Sequence, residues 1–143
     1  MDHLHLIIDY GVIGLLLLLS LVAIAVAIER WLVFRATRVA DFADRRELEL
    51  HLTNKLHLIA TIGTNAPYIG LLGTVLGIML TFATIGETGF DTTRIMRGLS
   101  MALKATALGL LVAIPAVTLY NLLLRRCKVL LLQWDIQHGR EGV

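Results

Sequence analysis

The sequence predicts an all-α integral membrane protein. It has three transmembrane helices, the N-terminus outside and the C-terminus inside, with helices two and three extended into the cytoplasm. The first observation behind this is three long uncharged runs: Gly11 to Ile28, Leu58 to Gly86 and Ala105 to Leu124 contain no Asp, Glu, Lys or Arg. A helix needs about 20 mostly apolar residues to cross hydrocarbon. The second is where the basic residues fall. The first loop holds Arg35, Arg38, Arg45, Arg46 and Lys55, and the tail holds Arg125, Arg126, Lys128 and Arg140. The start, MDHLHLIIDY, has two aspartates and no Lys or Arg. Basic residues mark the cytoplasmic side, so the 35–57 loop and the tail face inward and the 86–93 turn faces outward. Arg94 and Arg97 oppose this assignment and are outnumbered.

With 143 residues, 57% of them hydrophobic, the chain fits one membrane domain over 1–143. The helices are expected near 9–33, 60–85 and 95–124, with a cytoplasmic loop at 35–57 and a tail at 125–143. The net charge of +2 says less than its distribution. The tail is read as a topological signal rather than a nucleic-acid surface. The start lacks a basic n-region and no A-x-A site follows, so the first helix is expected to stay as an anchor. Cys127 is the single cysteine and the five histidines show no metal-binding spacing, so no metal site, cofactor or disulfide is expected. No nucleophile–base pair marks an enzyme.

Helix one, GVIGLLLLLSLVAIAVAI, is leucine-rich with few small residues, which suits lipid. It ends in ERWLVF, placing Glu29 and Arg30 at the cytoplasmic interface and Trp31 at headgroup level. The loop has no Pro or Gly and reads as a helical extension or hairpin. In the tail, Leu130, Leu131, Trp134 and Ile136 form a partial apolar face that continues helix three.

Helix two differs from helix one. Gly63, Pro67, Gly70, Thr74, Gly77 and Thr81 recur at three- and four-residue steps and make a small, weakly polar stripe. Ile69, Leu72, Val75, Leu76 and Met79 take the other side. Helix three repeats the device with Leu99, Ala102, Thr106, Gly109, Ala113 and Ala116. Small residues at this spacing let membrane helices approach closely. Pro67 is expected to kink helix two or to begin its membrane part, and Pro115 to kink helix three.

Thr74 and Thr106 both lie on these stripes. Each is twelve residues from the outer turn, counted from Gly86 and Arg94, or about 18 Å at about 1.5 Å per residue. That is near the bilayer middle. Back-bonding to a carbonyl in the same helix is the simpler role for a membrane threonine. Two level hydroxyls on glycine-lined faces also read as a narrow polar passage or a seat for another helix. A hydroxyl relays a proton but does not store one at neutral pH. Helices two and three carry no carboxylate or histidine at that depth, so another chain must bring the titrating group.

NAPYIGLLGTVLGIM and ALKATALGLLVAIPAVTLYN resemble the signatures of the ExbB/TolQ family, relatives of the flagellar stator protein MotA. The resemblance covers roughly residues 57–124 and is closer to the compact ExbB type than to TolQ. It implies a bacterial inner-membrane pentamer whose helices two and three line a central pore. Two copies of a single-span partner, ExbD, would occupy that pore and supply an essential aspartate. Proton flow would then drive TonB. The family's pore threonines fall on Thr74 and Thr106, with Gly70, Gly77, Thr81, Ala102, Gly109 and Ala113 on the close-packed face around them. The rival readings are a TolQ role in envelope maintenance and a passive helix-packing scaffold. Longer members carry a glutamate near the start of helix three where this chain has Met101.

Lys104 is the one charge in that part of helix three. At the centre of a helix it would cost about 2.5–3.5 kcal/mol on insertion. It stands about 200° from Thr106 on the wheel, so it is expected to point away from the threonine face. There it would snorkel outward and pair with Glu87 or Asp91. Tuning of the partner's carboxylate is the alternative.

Overall fold

The computed structural model describes residues 2–141 and is helical throughout apart from short connections. Helix α1 covers Asp2–Ala36, a 3-10 turn covers Val39–Asp41, α2 covers Arg45–Thr53, α3 covers Leu56–Thr88 and α4 covers Thr92–Glu141. Helices α1, α3 and α4 are each long and apolar enough to cross a bilayer. They run further than the expected spans at both ends. Pro67 and Pro115 sit inside unbroken helices rather than at boundaries. Of the basic tail, the Arg140 side chain lies outside the described part, as do residues 142 and 143.

The turn between α3 and α4 is short for a physical reason. Gly89 has φ 90°, a conformation that a side chain disfavours, and its N–H closes α3 on the Ile85 carbonyl at 2.9 Å. Asp91 then starts α4: its carboxylate accepts from the Thr93 N–H at 3.0 Å and its carbonyl from the Ile95 N–H at 3.1 Å. Residues from the start of α1 share a cavity with this turn. The molecule therefore has a turn end and a loop end, with α1 and α4 running the same way and α3 running back.

At the loop end α2 closes over the bundle. Asp44 caps it, accepting from the Arg46 N–H at 2.9 Å. Leu48 and Leu52 bury their side chains in a cluster with Phe34, Leu56, Ile59, Leu123, Cys127, Leu130 and Leu131. This explains half of the apolar tail face: Leu130 and Leu131 are buried and Trp134 is half-buried, whereas Ile136 is exposed. The Trp134 Nε1 donates to the Phe42 carbonyl at 2.9 Å, and Arg45 pairs with Asp135 at 3.1 Å. The 35–57 segment is thus a small lid rather than an extension of α1.

Helix α1 is more than a lipid-facing anchor. Leu16, Ala23, Val26, Ala27 and Phe34 are buried against α3 and α4. Alternate faces keep Leu17, Leu18 and Leu21 exposed, so the leucine run divides between packing and the outside.

Candidate functional site

The two small-residue stripes meet each other. The closest approach is at Gly70 and Gly109. A Cβ on Gly70 would lie 2.6 Å from the Ala105 carbonyl oxygen and 3.2 Å from Gly109 Cα. A Cβ on Gly109 would lie 2.7 Å from the Ala66 carbonyl oxygen and 3.1 Å from Gly70 Cα. Backbone touches backbone here, and no side chain fits between. Gly77 repeats the contact against Ala102, whose Cβ would be 2.9 Å from an added methyl. Ala113 is buried with Ala66 and Leu16 one step further toward the loop end. Gly70, Gly77, Ala102, Gly109 and Ala113 are all buried within the single chain.

Thr74 lies one turn from Gly70, at this seam, and is 7% exposed. Its hydroxyl donates across to the Ala102 carbonyl of α4 at 3.0 Å, and stands 3.3 Å from the Gly70 carbonyl of its own helix. It also makes a direct hydroxyl–hydroxyl hydrogen bond with Thr106. Thr74 therefore ties two helices together instead of only bonding back. Thr106 is half-buried and so retains an accessible side.

The bond pattern limits how the two hydroxyls can point. Thr74 donates to a carbonyl, and a carbonyl accepts only. With that donor committed, the Thr106 hydroxyl donates to Thr74. Reversing the pair takes the Thr74 O–H off the Ala102 carbonyl and frees the Thr106 O–H to donate to a group outside the chain. Thr106 is the accessible hydroxyl of the pair, and Thr74 is the buried one held to both helices.

Thr81 lies two turns further toward the turn end and is 5% exposed. Its hydroxyl bonds back to the Gly77 carbonyl at 2.9 Å, and its side chain fills the space left by Gly98. It borders a cavity of about 420 Å³ that opens at the turn end among His5, Thr84, Asp91, Arg94 and Arg97. Gly77 and Ala102 pack between Thr81 and the threonine pair, so the cavity stops short of it.

Lys104 is exposed and makes no ion pair among the described residues. Its side chain points away from the Thr106 seam, as the wheel requires. The expected pairing with Glu87 or Asp91 does not form.

Arg30 behaves unlike its sequence expectation. It is 4% exposed, and its Nη1 donates to the His51 carbonyl at 2.9 Å. Its Nη2 reaches Glu29 at 3.2 Å, and Glu29 also holds Lys55 at 2.9 Å. Arg30 thus ties the last turn of α2 to the end of α1, where a cation also suits the helix dipole. In sequence it looked like an interfacial charge, because nothing nearby announces that α2 folds back over it.

Three long apolar helices closed by a small lid, with a threonine pair at a glycine seam, have the make-up of a multi-pass helical membrane protein. Residues 20–136 match the MotA/TolQ/ExbB proton channel family, and the chain belongs to that family. It is 59% identical over 132 residues to an ExbB-like biopolymer transport protein of Helicobacter pylori, covering 92% of this chain and 88% of that one. It is 55% identical over 140 residues to the biopolymer transport protein ExbB of Aquifex aeolicus, covering 97% and 95%. To the Tol-Pal system protein TolQ of Pseudomonas aeruginosa it is 42% identical over 102 residues, 69% of this chain and 42% of that one. The family is one of proton-channel subunits rather than an enzyme class.

Proposed function

We propose that this chain is an ExbB-type motor subunit of the bacterial inner membrane. In this reading it assembles as a pentamer around an ExbD-like single-span partner and couples the proton motive force to TonB-dependent transport. The N-terminus and the α3–α4 turn face outward, and α2 with the α4 tail faces the cytoplasm, following the basic residues. Near-complete coverage of ExbB relatives, against partial coverage of TolQ, favours the ExbB role.

The observation that carries the mechanism is the Thr74–Thr106 hydrogen bond at mid-helix. As a proton relay the pair lacks a titrating group of its own, and an intramembrane aspartate brought by the partner against the open side of Thr106 would complete it. The partner's carboxylate takes up and releases the proton, and the threonine pair orients it and passes it on.

The test is a double variant, Thr74→Val with Thr106→Val, co-expressed with the partner. It should assemble normally and show no partner-dependent proton flux in vesicles. Wild-type flux from that variant would overturn the assignment. Complementation separates ExbB from TolQ: rescue of receptor-dependent uptake is expected, not rescue of envelope integrity.

A further inference from the structure

Helices α1 and α4 leave a second cavity, near the loop end, of about 540 Å³. Its lining is apolar, with Ala27, Phe34 and Leu123 buried at its base and Ile24, Ile28 and Leu122 exposed along its sides. Trp31, Arg35 and Arg126 line its other part. Because α1 and α4 run the same way, both arginines lie at the same end of the groove. Arg35 is about 16 Å beyond Ile24 at about 1.5 Å per residue.

Four acidic side chains at this end are taken by other bases. Glu29 pairs with Arg30 and Lys55, Asp44 with Arg46, and Asp135 and Glu49 with Arg45. Arg35 and Arg126 make no ion pair among the described residues. The Arg35 guanidinium instead lies 4.7 Å from the Trp31 ring centroid, which holds it at the mouth of the groove. An apolar trough that ends in two uncompensated guanidiniums has the polarity of a phospholipid, tail first and phosphate last.

We propose that this groove is a binding site for one anionic phospholipid. Its acyl chain lies in the apolar groove between Ile24, Ile28 and Leu122, and its phosphate sits between Arg35 and Arg126. Basic pockets between membrane helices are suited to anionic headgroups, and each guanidinium near such a headgroup contributes a factor of about five, or about thirty for two. The site is independent of the proton-coupling assignment, so its failure would leave that assignment untouched.

The full chain is reconstituted in phosphatidylcholine vesicles containing either brominated phosphatidylglycerol or brominated phosphatidylcholine at the same mole fraction. Bromine quenches nearby tryptophan, and the Trp31 signal is the difference between wild type and Trp31→Phe. The expected result is an apparent preference of about thirty-fold for the anionic lipid, falling to about five-fold in Arg35→Gln or Arg126→Gln and vanishing in the double variant. Raising ionic strength should weaken the preference in the wild type. Equal quenching by both lipids overturns the proposal, and so does a preference that survives both substitutions. No quenching by either lipid, the result that a second copy of the chain seated in the groove would produce, overturns it as well.

Discussion

Thr74 and Thr106 share one hydrogen bond, yet substitution should separate them. Thr74→Val removes the cross-helix bond to Ala102 as well, so it should lower thermal stability in detergent by about 0.5–1.5 kcal/mol. Thr106→Val leaves that bond in place and should cost less stability, with the larger loss in proton flux. Serine at either position keeps the hydroxyl and should retain flux. The glycines allow a sharper contrast. Gly70→Ala and Gly109→Ala drive a methyl into a backbone carbonyl and should each cost about 1–3 kcal/mol by thermal melting. Gly86→Ala meets open space and should be neutral or stabilising by up to about 1 kcal/mol. Lys104→Met should leave the assembly proposed above unchanged in size on gel filtration. It should improve insertion by up to about 2.5–3.5 kcal/mol in a translocation assay. That Thr74 and Thr106 lie on facing stripes was legible, because helical periodicity leaves few choices of face. The burial of Arg30 was not, because its partner carbonyl at His51 arrives from a separate helix.

Among the elements, α2 depends most on its cap. The Arg46 guanidinium, and then the Arg46 backbone N–H, hold the Asp44 carboxyl below its ordinary value of 3.8. A depressed carboxylate stabilises the fold above its unfolded value, and that contribution is lost as pH falls through the lower, folded value. Amide exchange in α2, corrected for the intrinsic rate, should therefore accelerate as pH drops below 3.8. Asp44→Ala should show the faster exchange at neutral pH as well. The membrane spans and the run of helix three into the tail were legible from the sequence, but the exact helix ends were not. What covers the far part of α4 was not legible, because Leu48 and Leu52 join Leu130 and Leu131 in one buried cluster from segments some eighty residues apart in sequence.

At the scale of the whole molecule, much of the surface is apolar. Leu17, Leu18, Leu21, Leu71, Leu72, Met79, Leu111 and Ile114 are all exposed. Exposed apolar area of this extent belongs against lipid or a partner's helices. The protein should stay in the pellet after an alkaline carbonate wash and be released only by detergent. Hydropathy alone does not divide that band between lipid and a partner's helices, because both surroundings reward the same residues.

Helix α4 has one more consequence. It is a continuous rod of 50 residues, and its tightest contact with α3, at Gly109, is off-centre. From that contact about 26 Å of rod runs to the turn end and about 48 Å to the other end. If the rod rocks on Gly109 as a seesaw rocks on its fulcrum, a nudge of the short arm sweeps the long arm through nearly twice the distance. The glycine contact that draws the two helices together would then also set the mechanical advantage with which an event in the membrane reaches the water beyond it.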